Sequence, residues 1–256
     1  EINKFRKKDI LSNLLNENEQ CIDIYQTTKI LVDEIVREIE SSPDLEIISK
    51  KAFNNSLKKE KTVKPNITDH YRYNTLIYNS LKGFLEDNKD VFLIGEDIED
   101  NNRFTPNSYG GAFNVTRNLS TIFPQRVKNT PISESAIVGI SAGYAIRNGR
   151  TIVEIMFGDF TTLIFDQVLQ HISKFEDMYN KAIKCPIIIR TPMGGKRGYG
   201  PTHSQSIEKF FIGIPNLLLI AFNHRINPEY IYDSLSETEK PAILIENKTL
   251  YTIETS

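Results

Sequence analysis

From residue 91 onward five short apolar runs recur: VFLIGED (91–97), TIVEIMF (151–157), CPIIIRTP (185–192), NLLLIAF (216–222) and PAILIEN (241–247). Their cores are continuously apolar rather than alternating, the pattern of a strand covered on both faces. Segments with helical spacing lie among them. YNTLIYNSLKGFLED precedes the first run, and TPISESAIVGISAG (130–143) precedes the second. FTTLIFDQVLQHISKFEDMYN follows the second and sets Leu163, Ile164, Val168, Leu169, Ile172 and Phe175 on one helical stripe. Shorter helical segments near 206–213 and 228–237 separate the last three runs. This alternation specifies an α/β fold: a mainly parallel sheet with helices on both faces and right-handed crossovers. Ligands of such sheets sit at the carboxyl ends of the strands. That rule marks the segments after Asp97, around Thr130 to Glu134, after Phe157 and after Thr191.

The amino-terminal part differs. Ile10, Leu11, Leu14 and Leu15, then Ile30, Leu31, Ile35, Val36 and Ile39, recur at helical spacing among charges, and Ser42-Pro43-Asp44 ends the pattern. Residues 1–49 therefore read as a helical tail. Residues 50–70, rich in Lys, Asn and Ser, read as a poorly ordered linker, and 71–256 as the α/β domain. The chain begins with Glu1 rather than Met, as a fragment or processed product would.

Composition excludes several classes. Thirty-one basic residues against 33 acidic ones leave a net charge of −2, with no bulk pull toward nucleic acid or an anionic membrane. No apolar run approaches the roughly 20 residues that span a bilayer, and EINKFRKKDI has no secretory h-region. Cys21 and Cys185 are too few and too distant for a disulfide framework or a metal site. The expectation is a reducing compartment, the cytoplasm or an organelle matrix.

Three features compete for chemistry. Gly139-Ile140-Ser141-Ala142-Gly143 matches the G-x-S-x-G pattern of hydrolase nucleophiles, and Ser141, Asp159 or Asp166, and His203 follow in triad order. That motif needs a strand running straight into the serine turn. Here Ser141 lies seven residues into a small-residue segment, where Ala136, Gly139, Ala142, Gly143 and Ala145 would let a helix pack closely on the sheet. MGGKRGYGPTHSQS (193–206) lacks both a Walker G-K-[ST] ending and a dinucleotide fingerprint. It reads either as a surface loop or as a mobile active-site segment carrying His203. Glu134 opens an otherwise apolar helix. Ser133 as N-cap and an acid in the first turn explain it cheaply. The functional reading needs an apolar wall, which Ile132, Ile137, Met156, Phe157 and Phe160 could supply, and a ligand nitrogen with which a carboxyl of raised pKa would share a proton.

Taken together, VFLIGEDI, YGGAFNVTRNL, RVKNTPISESAIVGISAGYAIRNGR, VEIMFGDF, FDQVLQHISKF, CPIIIRTPMGG, HSQS and ENKTLY resemble the β-subunit type of thiamine-diphosphate-dependent 2-oxo acid dehydrogenases. The resemblance runs from about Tyr71 to Tyr251. It implies the transketolase-like pyrimidine-binding domain of that family, with Glu134 on the aminopyrimidine nitrogen, promoting the imino tautomer that deprotonates the thiazolium. It further implies Phe160 stacked on the ring, Ile132 and Met156 lining its pocket, and His203 facing the reacting carbon. The implied activity is oxidative decarboxylation of a 2-oxo acid with acyl transfer to lipoyl. A non-catalytic assembly or regulatory module of the same fold is the alternative, against which the presence of Glu134, Phe160 and His203 speaks.

The amino-terminal stretches KFRKKDILSNLLNENEQ and VDEIVREIESSPDLE look like the last helices of the α-subunit type, which implies a fused α–β parent. The family's G-D-G motif with a downstream Asn, which anchors the diphosphate and Mg²⁺, belongs to the α half. It does not occur here, and Gly158-Asp159-Phe160 is a different element. No metal ligand is therefore expected in this chain, and the family's carboxy-terminal β domain is not expected within it. AFNHRINPEYIYDSL departs from the family's P-x-D-A-K-G-like segment, which puts a monovalent-cation site there in doubt. Implied partners are an α-type diphosphate-binding domain, a second copy in an α2β2-like dimer, and a lipoyl-bearing acyltransferase.

Overall fold

The computed structural model describes residues 19–41, 71–100 and 109–254. The expectations for 1–18, 42–49 and the 50–70 linker lie outside the described residues. Helix α1, Glu19–Ser41, belongs to a unit of its own and carries the expected repeat of Ile30, Leu31 and Ile35.

The second unit holds a six-stranded sheet. Its strands are β1 (Phe92–Gly95), β2 (Val127–Asn129), β3 (Thr151–Glu154), β4 (Ile187–Met193), β5 (Leu218–Ala221) and β6 (Ala242–Asn247), in the order β2-β1-β3-β4-β6-β5. Every pairing is parallel. All five expected runs are strands. β3 and β4 are buried at every position, as continuous apolar runs require. The sixth, β2, was not foreseen: only Val127 of its three residues is buried, so no apolar run announces it.

Helix α2 (Tyr73–Asp87) packs on one face. It buries Tyr73, Ile77, Leu81, Phe84 and Leu85 at helical spacing, and the Phe84 ring meets Tyr232 with centroids 5.6 Å apart. Tyr232 lies on helix α6 (Pro228–Ser236), where Asn227 caps the first turn by accepting from the Glu229 amide at 3.1 Å. The end of α2 is closed by Arg126, whose guanidinium donates to the Leu85 and Asn88 carbonyls at 2.8 and 2.9 Å. A cation there complements the helix dipole. Between these elements lies the short helix α3, Leu119–Ile122.

Helix α4, Glu134–Asn148, covers the opposite face through Ile137, Val138, Ala142 and Ala145. Its glycines do not do what the composition implied. Gly139, Gly143 and Ala136 are exposed, and a side chain built on either glycine would meet nothing within 4 Å.

The stretch 160–180 is not one α-helix. It comprises a 3₁₀ segment (Gly158–Ile164), a π-helical segment (Gln167–Ile172) and the single turn α5, Phe175–Met178. Thr161 and Thr162 donate back to the Gly158 and Asp159 carbonyls three residues earlier, at 2.6 and 3.0 Å, which accompanies the tighter winding. The change of phase leaves Leu163 54% exposed while Ile164, Val168 and Ile172 are buried. Gly158 is required by the close approach of β4: a Cβ there would lie 2.6 Å from Met193 Cγ. The helix expected near 206–213 is only a 3₁₀ turn, Glu208–Phe210, followed by Gly213 at φ +89°.

Candidate functional site

With β1 flanked by β2 and β3, the chain runs outward on one side of β1 and then returns to the other. The crevice outside the carboxyl ends of β1 and β3 is the topological switch point, where ligands of open parallel sheets bind. Glu96 follows β1 there, Glu134 begins the helix after β2, and Met156 to Phe160 follow β3.

Glu134 is 8% exposed at the first position of α4. Ser133 makes no side-chain capping bond. Among the described residues no hydrogen bond or ion pair engages the Glu134 carboxyl group. Its charged neighbour is another acid, Glu96, whose own carboxyl is pushed above the usual range by burial first, then by Glu134 and Asp97. Oε1 of Glu96 is buried without a partner. Neither Glu134 oxygen is among the fully buried unpaired atoms, so solvent reaches the carboxyl, and its place in the first turn also suits the helix dipole. Glu96 went unnoticed in the sequence, since an acid closing an apolar run reads as the wet end of a strand.

Ser135 Oγ donates to the Leu163 carbonyl at 2.6 Å, fastening the first turn of α4 to the 3₁₀ segment that carries Phe160. The Phe160 ring meets the His203 imidazole with centroids 5.2 Å apart, and Phe157 meets the same imidazole at 4.7 Å, both edge-to-face. Nδ1 of His203 pairs with Thr202 Oγ1 at 2.9 Å. Phe157 also contacts Phe113, on the Gly110-Gly111 loop, and Tyr199. Gly110 and Gly111 both adopt φ near +70°, and a Cβ on Gly110 would lie 2.4 Å from Asn114 Oδ1. Met156 is half-buried against the core on the Phe157 side. Ile132 stands apart from this group at 83% exposure.

The segment bearing His203 is held at its base. Gly194 N–H donates to the Gln205 carbonyl at 3.2 Å, and Asp159 Oδ1 accepts from the Gln205 amide and side chain at 3.2 and 2.8 Å. Lys248, just past β6, donates its ammonium to the His203 carbonyl. Beneath, register places Glu154 beside Arg190 on β3 and β4. Arg190 grips Glu154 and both oxygens of Glu246, to which Tyr251 donates at 2.7 Å, all of them buried. Of these charges only Asp159 was picked out from the sequence, and there for a different role.

Ser141 is buried. Its hydroxyl donates to the Ile137 carbonyl at 2.7 Å, and its own carbonyl accepts from Thr151 at 3.2 Å. It lies roughly 10 Å along α4 from Glu134, by the rise of a helix. The triad reading lacks both an accessible nucleophile and a base beside it. A fluorophosphonate probe is expected to leave Ser141 unlabelled, as read by mass spectrometry of tryptic peptides; stoichiometric labelling would restore the hydrolase.

Residues 70–254 match the family described as "Transketolase, pyrimidine binding domain". The chain is 30% identical over 187 residues to the pyruvate dehydrogenase E1 component subunit beta-3, chloroplastic, of Oryza sativa subsp. japonica, covering 71% of this chain and 46% of that protein. It is 31% identical over 173 residues to the 2-oxoisovalerate dehydrogenase subunit beta of Bacillus subtilis (strain 168), covering 67% and 50%. It therefore spans about half the length of the curated relatives it matches. Among solved structures, a split gene transketolase (inactive beta4 tetramer) superposes with a TM-score of 0.50 at 18% identity, over 67% of this chain and 50% of that one. That likeness concerns the fold alone.

Proposed function

The chain belongs to the transketolase pyrimidine-binding family, as a domain of the β-subunit type, and on that premise we propose that it supplies the pyrimidine side of a thiamine-diphosphate site in a 2-oxo acid dehydrogenase. The observation that carries this reading is Glu134, a buried carboxyl with no donor of its own, at the switch point of a parallel sheet.

The residues present fit the pyrimidine end of that cofactor. Glu134 would hold a proton at a ring nitrogen, and Glu96 beside it keeps the local field negative, which favours that proton. Phe160 offers a ring face for stacking, and Met156 an apolar flank. The cofactor supplies a carbon nucleophile for the 2-oxo group and takes up the electrons freed on decarboxylation. His203, fixed edge-on between Phe157 and Phe160, would move a proton at the substrate oxygen or at the lipoyl sulfur. Exposed Ile132 would be covered when an α-type diphosphate-binding domain closes the other side. Mg²⁺ and the diphosphate belong to that domain, which would pair with this one in an α2β2-like assembly serving a lipoyl-bearing acyltransferase.

Charge-assisted contacts to the diphosphate are about twice as strong as neutral hydrogen bonds, and this chain offers only the pyrimidine end. Calorimetry with Mg²⁺ is expected to show no micromolar binding of thiamine diphosphate to the chain alone, and binding once an α-type partner is added. Micromolar affinity without the partner would overturn the division of labour.

A further inference from the structure

Lys248 is wholly buried, yet its ammonium forms no ion pair among the described residues. Its backbone N–H donates to the Met193 carbonyl at 3.0 Å, where β4 and β6 end side by side. The ammonium reaches the His203 carbonyl and lies 5.0 Å from the Phe157 ring centroid and 5.2 Å from that of Tyr199. An ammonium has three donors, and here one carbonyl and two ring faces surround it. Burying a cation is costly; Asp159 attracts this one without forming a contact ion pair and does not offset the burial, and a methionine or leucine would fill the same space without that cost. Packing alone does not explain a lysine.

What the charge holds is the segment that bears the imidazole. Lys248 takes the carbonyl of His203, Asp159 takes the amide of Gln205, and Gly194 closes the base of the loop. Asp159 lies next to Phe160, and Phe157 touches both the ammonium and the imidazole. We propose that Lys248 is a positioning residue: clasping the His203 carbonyl over the Phe157 and Tyr199 rings, it sets the imidazole against Phe160 and keeps residues 194–203 folded over the strand ends. The catalytic meaning of the clasp rests on the proposed proton-moving role of His203; the clasp itself does not.

The test therefore begins with the 256-residue chain without cofactor. Lys196 and Arg197 are exposed on the loop and give trypsin two sites that report its release. Lys248→Met, close to isosteric but neutral, is expected to speed cleavage there by about tenfold or more, the scale of a lost charged hydrogen bond read through the open population. Cleavage after Lys82, on α2, should be unchanged. Lys248→Arg should restore much of the protection, and the His203 imidazole proton signals should shift in Lys248→Met and return toward the wild-type positions in Lys248→Arg. In the unmutated chain, Lys248 ammonium protons should show nuclear Overhauser contacts to the Phe157 and Tyr199 rings. Absence of those contacts overturns the clasp even if Lys248→Met fails to fold. Wild-type cleavage with an unmoved His203 signal in a folded Lys248→Met also overturns it. In the enzyme reassembled with an α-type half, Lys248→Met should lower kcat with little change in KM. Full activity of His203→Ala there would remove the catalytic reading while the protease and NMR results upheld the clasp.

Discussion

Arg190→Met is expected to destabilise the chain by about 3–5 kcal/mol, the scale for removing one partner of a buried ion pair. That is a large share of the roughly 5–15 kcal/mol that holds a typical domain together. The guanidinium sits between Glu154 and Glu246, all three side chains nearly inaccessible. Without it, two carboxyl groups on β3 and β6, the strands on either side of β4, are left buried without a counter-charge, and Tyr251 satisfies one oxygen of Glu246. Urea denaturation should show a lower midpoint at unchanged slope.

The deficit should also depend on pH. Burial already raises the Glu154 carboxyl above the usual range against the pull of Arg190, and losing that pull raises it further. A carboxyl whose folded pKa exceeds its unfolded one binds more protons when folded, so stability falls as pH rises from the ordinary carboxylate pKa up through the folded value. The variant should therefore lie closer to wild type at pH 5 than at pH 8. Adding Glu154→Gln and Glu246→Gln should recover part of the loss, because the remaining groups no longer carry buried charge. A variant within 1 kcal/mol of wild type throughout that range, a scale typical of exposed pairs, would mean that the cluster is hydrated.

That cluster also shows where the sequence stops being informative. CPIIIRTP and PAILIEN are legible as strands because nearly every side chain in them must be covered. That Arg190 meets Glu246 depends on β4 lying next to β6, with β5 displaced to the edge, and strand order is a property of the whole chain. Each charge alone reads as the solvated end of an apolar run. β2 escaped for the opposite reason: Val127 is its one buried side chain, and Leu93 on β1 supplies the register. In 160–180 the apolar spacing was real, but Thr161 and Thr162 bond to carbonyls three residues back, and no hydrophobic pattern encodes that winding.

At the crevice, Glu134 drew notice as an acid opening an apolar helix, but an acid in the first turn also suits the helix dipole, so its role came from the resemblance and not from the local pattern. Lys248 drew none. A lysine one residue past a strand reads as solvated, and only the aromatic faces brought from β3 and the loop after β4 make it a buried one.

Glu134→Gln tests the two roles directly, and its two arms part them. In the chain alone, an acid serving the helix dipole would contribute about 0.3–1 kcal/mol, so its amide should melt lower by that amount. A site carboxyl lacking protein donors instead costs stability, and Glu134→Gln should leave the chain as stable as wild type or more so. In the enzyme reassembled with its diphosphate-binding half, the amide keeps the shape and one hydrogen bond but cannot hold the proton at the ring nitrogen. General acid–base help of this kind is worth about 10²–10⁴-fold, so decarboxylation should fall by at least about two orders of magnitude. Exchange of the thiazolium proton into deuterated solvent, followed by NMR, should slow in parallel, because that step precedes the substrate. His203→Ala should leave the exchange nearly intact and slow only the steps after substrate addition. Exchange at the wild-type rate in Glu134→Gln, together with a lowered melting temperature, would return Glu134 to the helix and remove it from the proposed proton-holding role.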